Sequence, residues 1–542
     1  MNTIKRYSIF CIIALIFSGC EDFLKQTPYG SVTLDNFWQA ESDVIYALNA
    51  LHEYTTQEGT TGRGTMWFEN CSDNMITGRG PHAGDAPKHF QMTPATGIDV
   101  NHQTNGAWAT MYLVIMRAND IIRYVPGMNI SESLKNNALG QAYFFRAYAY
   151  LWLAPWYADN GPNGGLPVIT ELTPVEGIDA PRPSSVLENY DMMLADFRRA
   201  GELLPLHGDM DPADYGRPHK AAAWAFAARA ALYASQYDNK YFDTVIEMCD
   251  NVINLTGASR RGLFPDYTRL FRMENNFSEE YIFSMLGNEL RGPKFHGMTF
   301  HNGGWGMYNT WGFFQPTLEL YNAFEPGDVR RDATILYPGQ NITFLGEVIQ
   351  WGVSRDVSSL SGMTFRKFMS IFEAPNALGT VVNTNGNNQS NRLGTVVMRY
   401  ADVLLMKAEA LIWRNGEGNA EARELLNDIR ERAGLPRDSE ATREQLKNER
   451  RVELAFEFKP SRHIDLVRWG DAQEAYAKPL HGLRIDLDED DEGNKIRELE
   501  AMELEVIEVW GPRNFNPQVH HVFPIPATQT SRSQNLTQNI GY

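Results

Sequence analysis

The chain has 542 residues, a formal net charge of −18 and 43% apolar residues, enough material to bury a large core. So negative a surface is unsuited to nucleic acid and other polyanions, whose capture relies on clustered Lys and Arg, and it points to neutral partners. Aromatics are plentiful, with 12 Trp, 23 Tyr and 28 Phe, which serve either a big core or a stacking surface.

Residues 1–19 stand apart from the rest. Lys5 and Arg6 precede an apolar run from Ile9 to Phe17, and Ser18, Gly19 and Cys20 follow. The run suits a signal-peptide core and falls short of the ~20 apolar residues that a spanning helix needs. Its small-small-Cys end resembles a bacterial lipoprotein signal, in which Cys20 becomes the acylated first residue. Phe17 departs from that pattern, standing where leucine is usual. Several acyl chains on one Cys would anchor the protein stably. An ordinary secretory signal that ends near a cysteine is the alternative. Loss of Lys5 and Arg6 with the signal takes the charge to −20. No later stretch is long and apolar enough to cross a bilayer. Processing leaves Cys71 and Cys249, too few for a disulfide framework or a metal site. Their pairing is left open, and two buried thiols is the simpler reading.

Residues 20–36, with Pro28, Gly30 and Ser31, read as anchor and tether. Helical periodicity begins near Phe37, with Val44, Ile45, Leu48 and Leu51 as its apolar positions. Polar, Gly-rich loops cover about 57–65 and 78–106, around a partly buried segment that includes Trp67. Helices are expected at 108–124 and 133–157. In the second, Ala142, Ala147 and Ala149 lie between Tyr143, Phe144, Tyr148 and Trp152, so helices can approach closely while rings fill the gaps. After a Pro/Gly-rich stretch at 158–183, helices resume at 184–204, 219–236 and 241–256, the last two as a helix–turn–helix pair. Residues 257–398 lose the period, apart from 316–324, and predict short strands and long loops. Helices return at 399–416 and 419–435, a pair close to the ~34-residue tetratricopeptide period, with Ala408, Ala410 and Ala420 where the helices cross. A third pair is expected at 442–457 and 460–477, and 478–542 reads as irregular. The fold class is therefore mainly α, a superhelix of tetratricopeptide-like helix pairs carrying an inserted loop-rich, short-strand region. Its parts are the signal 1–19, anchor and tether 20–36, a helical part 37–256, the loop and strand region 257–398, and C-terminal helix pairs with an irregular tail, 399–542.

Several segments, in order, resemble one family from Cys20 almost to the last residue. They are EDFLKQTPYGSVTLDNFW, AYFFRAYAYLWL, RPHKAAAWAFAARAALY and FPDYTRLF, then RYADVLLMKAEAL with IRERAGLP and ERRVELAFEFKPSRHIDLVRWG, and finally HHVFPIPATQTSRSQNLTQNIGY. On these the chain resembles the SusD/RagB-type outer-membrane proteins. The resemblance implies a cell-surface lipoprotein that binds oligosaccharide or polysaccharide and covers a SusC-like TonB-dependent transporter. It implies an outer-membrane lipid anchor, no cofactor and no catalysis. FEFKPSRHIDL replaces the more usual FEGHRWFDL, a departure expected to touch local packing only.

Most strong motifs read as scaffold. Arg450, Arg451, Glu453 and Glu457 are spaced for ion pairs on helix faces, and Arg462, Asp465 and Arg468 repeat the pattern. A sugar ring presents C–H faces and hydroxyl edges, so a carbohydrate site needs several exposed aromatics with polar groups beside them. The segment HGMTFHNGGWGMYNTWGFFQPT at 296–317 answers that need. Trp305, Tyr308 and Trp311 sit there among Gly and Asn, and no strand or helix period commits them to a core face. One or two of them plugging a local core is the alternative. In the family resembled, binding aromatics come from this region. Asp73 and Arg79 occupy positions that resemble polar sugar contacts of that family, with turn chemistry and a solvated charge as their other readings. Phe90 follows them, with His89 and His102. Trp351 is placed within reach of the site, whereas Trp67 and Trp108 are expected in the core. Residues 488–499 resemble an EF-hand loop at Asp488, Asp490 and Gly493. Glu492 stands at the fifth position, however, and Leu499 fills the twelfth, where a bidentate Glu is required. An acidic surface turn without metal is the expectation. His520 and His521 read as packing. HExxH, GxSxG and a phosphate-binding P-loop are absent. A surface glycosidase and a peptide-uptake lipoprotein are the alternative functions, and the Trp-rich loop speaks against the second.

Overall fold

The computed structural model describes residues 37–57, 60, 69, 71–78, 105–174, 179–286, 314–344, 346–357, 359–367, 393–457 and 461–542. Helices α1 (Glu41–Thr55), α2 (Asn105–Tyr124), α3 (Glu132–Tyr157), α4 (Val186–Leu203), α5 (Lys220–Ala234) and α6 (Tyr241–Ile253) form its N-terminal part. The C-terminal part holds α7 (Tyr400–Asn415), α8 (Ala420–Arg432), α9 (Arg443–Glu453), α10 (Arg462–Trp469) and α11 (Ala472–Tyr476). Each helix from α1 to α6 packs on the next, and α6 packs directly on α7. The residues between α6 and α7 therefore leave the stack unbroken, and the fold is mainly α as expected. Among the described residues no helix is long and apolar enough to cross a membrane.

Small residues set how closely the helices approach. At Gly140 in α3 a β-carbon would stand 2.8 Å from Leu204 Cγ, so any larger residue would push the end of α4 away. Rings fill the remaining space. Phe144 meets Phe197 of α4 at 5.8 Å and Phe226 of α5 at 5.3 Å, both edge-on, the arrangement aromatic pairs prefer. Trp108 is buried in the same core, its ring edge-on to Tyr157. Cys71 and Cys249 are buried thiols of that core, and burial pushes Cys71 up to about 12.

Helix ends follow local chemistry. Thr442 and Gln445 form a capping box at the start of α9, and Asn419 caps α8 through the Ala422 N–H. Two expected helices are shorter than their periodicity suggests. The helix expected at 460–477 divides into α10 and α11 because Gly470 is left-handed, with φ +80°. The one expected at 442–457 stops at Glu453, just before Phe456 at φ +63°.

The strands are β1 (Met75–Thr77), β2 (Tyr281–Met285), β3 (Phe314–Pro316), β4 (Ile335–Leu336), β5 (Asn341–Phe344), β6 (Glu347–Gln350), β7 (Thr364–Phe365), β8 (Thr395–Arg399), β9 (Leu480–Leu487) and β10 (Met502–Trp510). They pair antiparallel and two by two: β1 with β3, β2 with β8, β4 with β7, β5 with β6 and β9 with β10. A second core under them contains Met75, Phe314, Ile335, Trp351, Phe365 and Phe456.

The tail corrects the sequence reading. Residues 478–542 were expected to be irregular, yet β9 and β10 make the longest strand pair described. The run MELEVIEVW alternates acid and apolar residues, the period of a half-buried strand, and that signal was present. Beyond it the chain returns to α3, where Phe523 N–H donates to Trp156 O at 2.6 Å and Asn539 Nδ2 donates to Tyr157 O at 3.0 Å. Residues 488–499 form an acidic turn in which Asp490 accepts the Glu492 and Asn494 N–H groups, in keeping with the surface-turn reading. His520 is buried edge-on to Phe515, and His521 lies 3.0 Å from Asp159.

The charged motifs are scaffold, but their partners differ from the helix-face pairs expected. Only Arg468 and Asp465 pair along their own helix. Arg450 reaches Asp402 of α7 and Asp465 of α10, Glu453 meets Arg330, Arg399 and Arg432, and Glu457 meets Lys367 and Arg399. These bridges tie the strand region and α7 to α9.

Candidate functional site

Two strand pairs flank the segments that carry the expected site residues. β1 immediately precedes the segment that carries Arg79 and Phe90, and β3 immediately follows the segment that carries Trp305, Tyr308 and Trp311. Thr77 is the register partner of Phe314, so one segment leaves beside the point where the other returns. β2 and β8 repeat the arrangement, with Met285 opposite Thr395. Trp305, Tyr308, Trp311, Arg79, Phe90, His89, His102, Trp67 and Cys20 themselves lie outside the described residues.

Asp73, just before β1, is described. It is 8% exposed and bridges Arg462 at 2.9 Å and Arg451 at 3.3 Å. Burial would raise its carboxyl, but the two guanidinium groups outweigh burial and hold it well below the ordinary carboxylate range. Asp73 thus reaches a ligand only as part of this charged cluster. The cluster borders a groove of about 610 Å³ whose walls include Glu319, Lys447, Arg451, Arg462 and Leu480. That volume is within the range of ligand sites. Its walls offer hydrogen-bonding groups of both signs, whereas no aromatic ring lines it among the described residues.

Trp351, expected to reach the site, is instead 1% exposed in the second core. Its Nε1 donates to Gly362 O at 2.7 Å, so the ring is a packing element with its polar edge satisfied. Of its apolar neighbours along the chain, Ile349 belongs to the same core and Val348 is exposed.

Sequence reasoning missed Glu69, whose carboxylate sits behind Asp73. It accepts Ser461 Oγ at 2.5 Å, the Arg462 N–H at 2.9 Å and Ser72 Oγ at 3.2 Å. Burial pushes it up to about 7 despite these hydrogen bonds. The value resembles that of a general acid, but the group is 6% exposed and its oxygens are occupied, so it positions Asp73 and α10. No short motif marks it, because Ser461 and Arg462 lie almost 400 positions away along the chain.

A carboxyl with a raised folded pKa stabilises the fold fully below its unfolded value of about 4.5, and this stabilisation is lost as pH rises through about 7. Glu69→Gln keeps the shape without the charge. Its melting temperature is expected to match that of the parent near pH 4.5 and to exceed it by a few degrees above pH 7. Parallel melting curves for the two proteins across that window would overturn the assignment.

The comparisons with known proteins bear on this architecture. The model of the SusD family matches residues 279–542, and a family model described as starch-binding, associating with the outer membrane, matches 22–232. The chain belongs to the SusD family. It is similar to the SusD-like protein P2 of Formosa agariphila, at 26% identity over 99% of both chains. The crystal structure of a SusD-like protein from Bacteroides fragilis superposes with a TM-score of 0.76 at 24% identity, covering 94% of this chain and 99% of that one. Surface glycan-binding protein A of Bacteroides thetaiotaomicron, in complex with laminarihexaose, superposes with a TM-score of 0.66 at 18% identity, covering 92% and 99%.

Proposed function

We propose that this SusD-like protein captures a neutral oligosaccharide or polysaccharide at the cell surface and delivers it to a SusC-like TonB-dependent transporter, without catalysis. Cys20 carries the lipid that holds it to the outer membrane. The observation that carries the reading is the Thr77–Phe314 register, which roots the loop bearing Arg79 and Phe90 beside the one bearing Trp305, Tyr308 and Trp311. Rings from the second loop cover the sugar faces, and the first loop contributes polar contacts at the ring edge. The laminarihexaose bound by a protein of the same fold supports carbohydrate as the ligand class. The net charge of −18 supports a neutral one.

The test uses the soluble chain lacking residues 1–20. A glycan array identifies the polysaccharide, and retention in a gel containing it is then compared for the parent and for Trp305→Ala/Trp311→Ala. The double variant is expected to lose retention while keeping its melting temperature. Parent retention is expected to change little with added salt, because stacking and neutral hydrogen bonds carry it. Unchanged retention in the variant places the site elsewhere. New reducing ends during incubation with the polysaccharide would identify a glycosidase instead.

A further inference from the structure

Among the described residues the β9–β10 pair has one covered edge and one open edge. Leu483 N–H donates to Ser361 O at 2.9 Å, so it points away from β10. Leu483 and its register partner Val506 are therefore a non-hydrogen-bonded pair, and the main-chain groups of Val506 point away from β9 as well. The two-residue repeat of a strand extends this to Leu504, the partner of Ile485. The outward N–H and C=O groups of Leu504 and Val506 meet no partner among the described residues.

The edge is long and only partly protected. β10 runs for nine residues without Pro or Lys, and its register shifts only between Glu508 and Trp510. One face carries Leu504 and Val506, which are 47% and 59% exposed. On that face Ile485 lies over Gly352, so the apolar surface is covered beneath β9 and overhangs at β10. The opposite face presents Glu503 and Glu505, with Arg484 and Asp486 across the pair. Residues 480–510 contain eleven acids against three Lys and Arg, which concentrates negative charge on this element.

We propose that the free edge of β10 accepts an extended strand from a partner polypeptide, one that alternates Lys or Arg with β-branched residues. The strand's main chain pairs with Leu504 and Val506. Its apolar side chains cover the overhang, and its cations stand beside Glu503 and Glu505. A second copy of this chain fits poorly, because pairing two β10 strands would set these glutamates against each other. The proposal concerns a polypeptide partner and does not rest on the carbohydrate reading.

The probe is a synthetic peptide of alternating lysine and valine, titrated into the soluble chain lacking residues 1–20 at physiological salt, with amide hydrogen exchange as the second readout. Protection is expected at Leu504 and Val506. Val506→Pro removes an outward donor and is expected to weaken binding roughly tenfold or more while leaving the melting temperature unchanged. Leu504→Lys keeps every main-chain donor and repels the peptide, so it is expected to weaken binding similarly. Absence of binding overturns the proposal. So does binding without protection at these two amides, affinity in both variants equal to that of the parent, or a dimer of the chain that Val506→Pro dissolves.

Discussion

Replacing Arg399 by alanine is expected to cost about 3–5 kcal/mol or more, a loss visible as a large drop in the urea midpoint or as failure to accumulate folded protein. Arg399 closes β8 at the start of α7 and is wholly buried. Its guanidinium bridges Glu280 at 2.7 Å, Glu453 at 2.5 Å and Glu457 at 2.7 Å, and donates to Glu453 O at 2.7 Å. Burial by itself would lower its pKa, but the three carboxylates outweigh burial and hold it above the ordinary arginine value. Once Arg399 is gone, Glu280 and Glu453 keep Arg432, Glu453 also keeps Arg330, and Glu457 keeps Lys367. Arg330 is also shared with Asp328 and Glu449, and Glu449 meets Arg430, so five carboxylates then face four cations in a place water does not reach. The cost comes from the charges left behind, so Arg399→Met should be nearly as damaging as Arg399→Ala. Adding Glu457→Gln to Arg399→Met should recover part of the loss. A midpoint that moves by less than the equivalent of about 1 kcal/mol would show that these bridges do not hold the strand region to α9.

Gly362→Val is expected to destabilise by about 2–5 kcal/mol through two separate costs. Gly362 has φ +71°, a conformation that β-branched residues avoid. A β-carbon there would also stand 2.2 Å from Leu483 O, which is main chain and cannot rotate aside. The turn would have to withdraw from β9, taking with it the Gly362 carbonyl that receives Trp351 Nε1. Gly362→Ala should show a smaller loss by the same route. Near-ultraviolet circular dichroism, which reports the packing of Trp351, should weaken before helical content changes. Limited proteolysis should become faster within 488–499. A variant with the parent's melting temperature and proteolysis rate would mean that the seating of this turn does not matter.

The helix pairs were legible because their signal is local. An apolar residue every third or fourth position, an alanine-rich face and a proline or glycine stop are written within single segments of α2, α3, α5, α7 and α8. β10 is equally local, its acid–apolar alternation from Met502 to Val506 being the period of a half-buried strand. The ends of α9 and α10 were less legible, because a left-handed Phe456 or Gly470 depends on what the chain must turn to meet.

The sequence by itself determined the family, the mainly helical stack and the presence of short strands in its insert, since all three follow from patterns within continuous stretches. Tertiary structure alone decided that Trp351 is core and that Asp73 is held by Arg451 and Arg462. It also decided that Glu69 lies behind Asp73 and that β1 stands beside β3. The physical reason is that burial and ionic pairing depend on which distant residues the folded chain brings together. A carboxylate 389 positions from its guanidinium partner carries no local mark of that meeting.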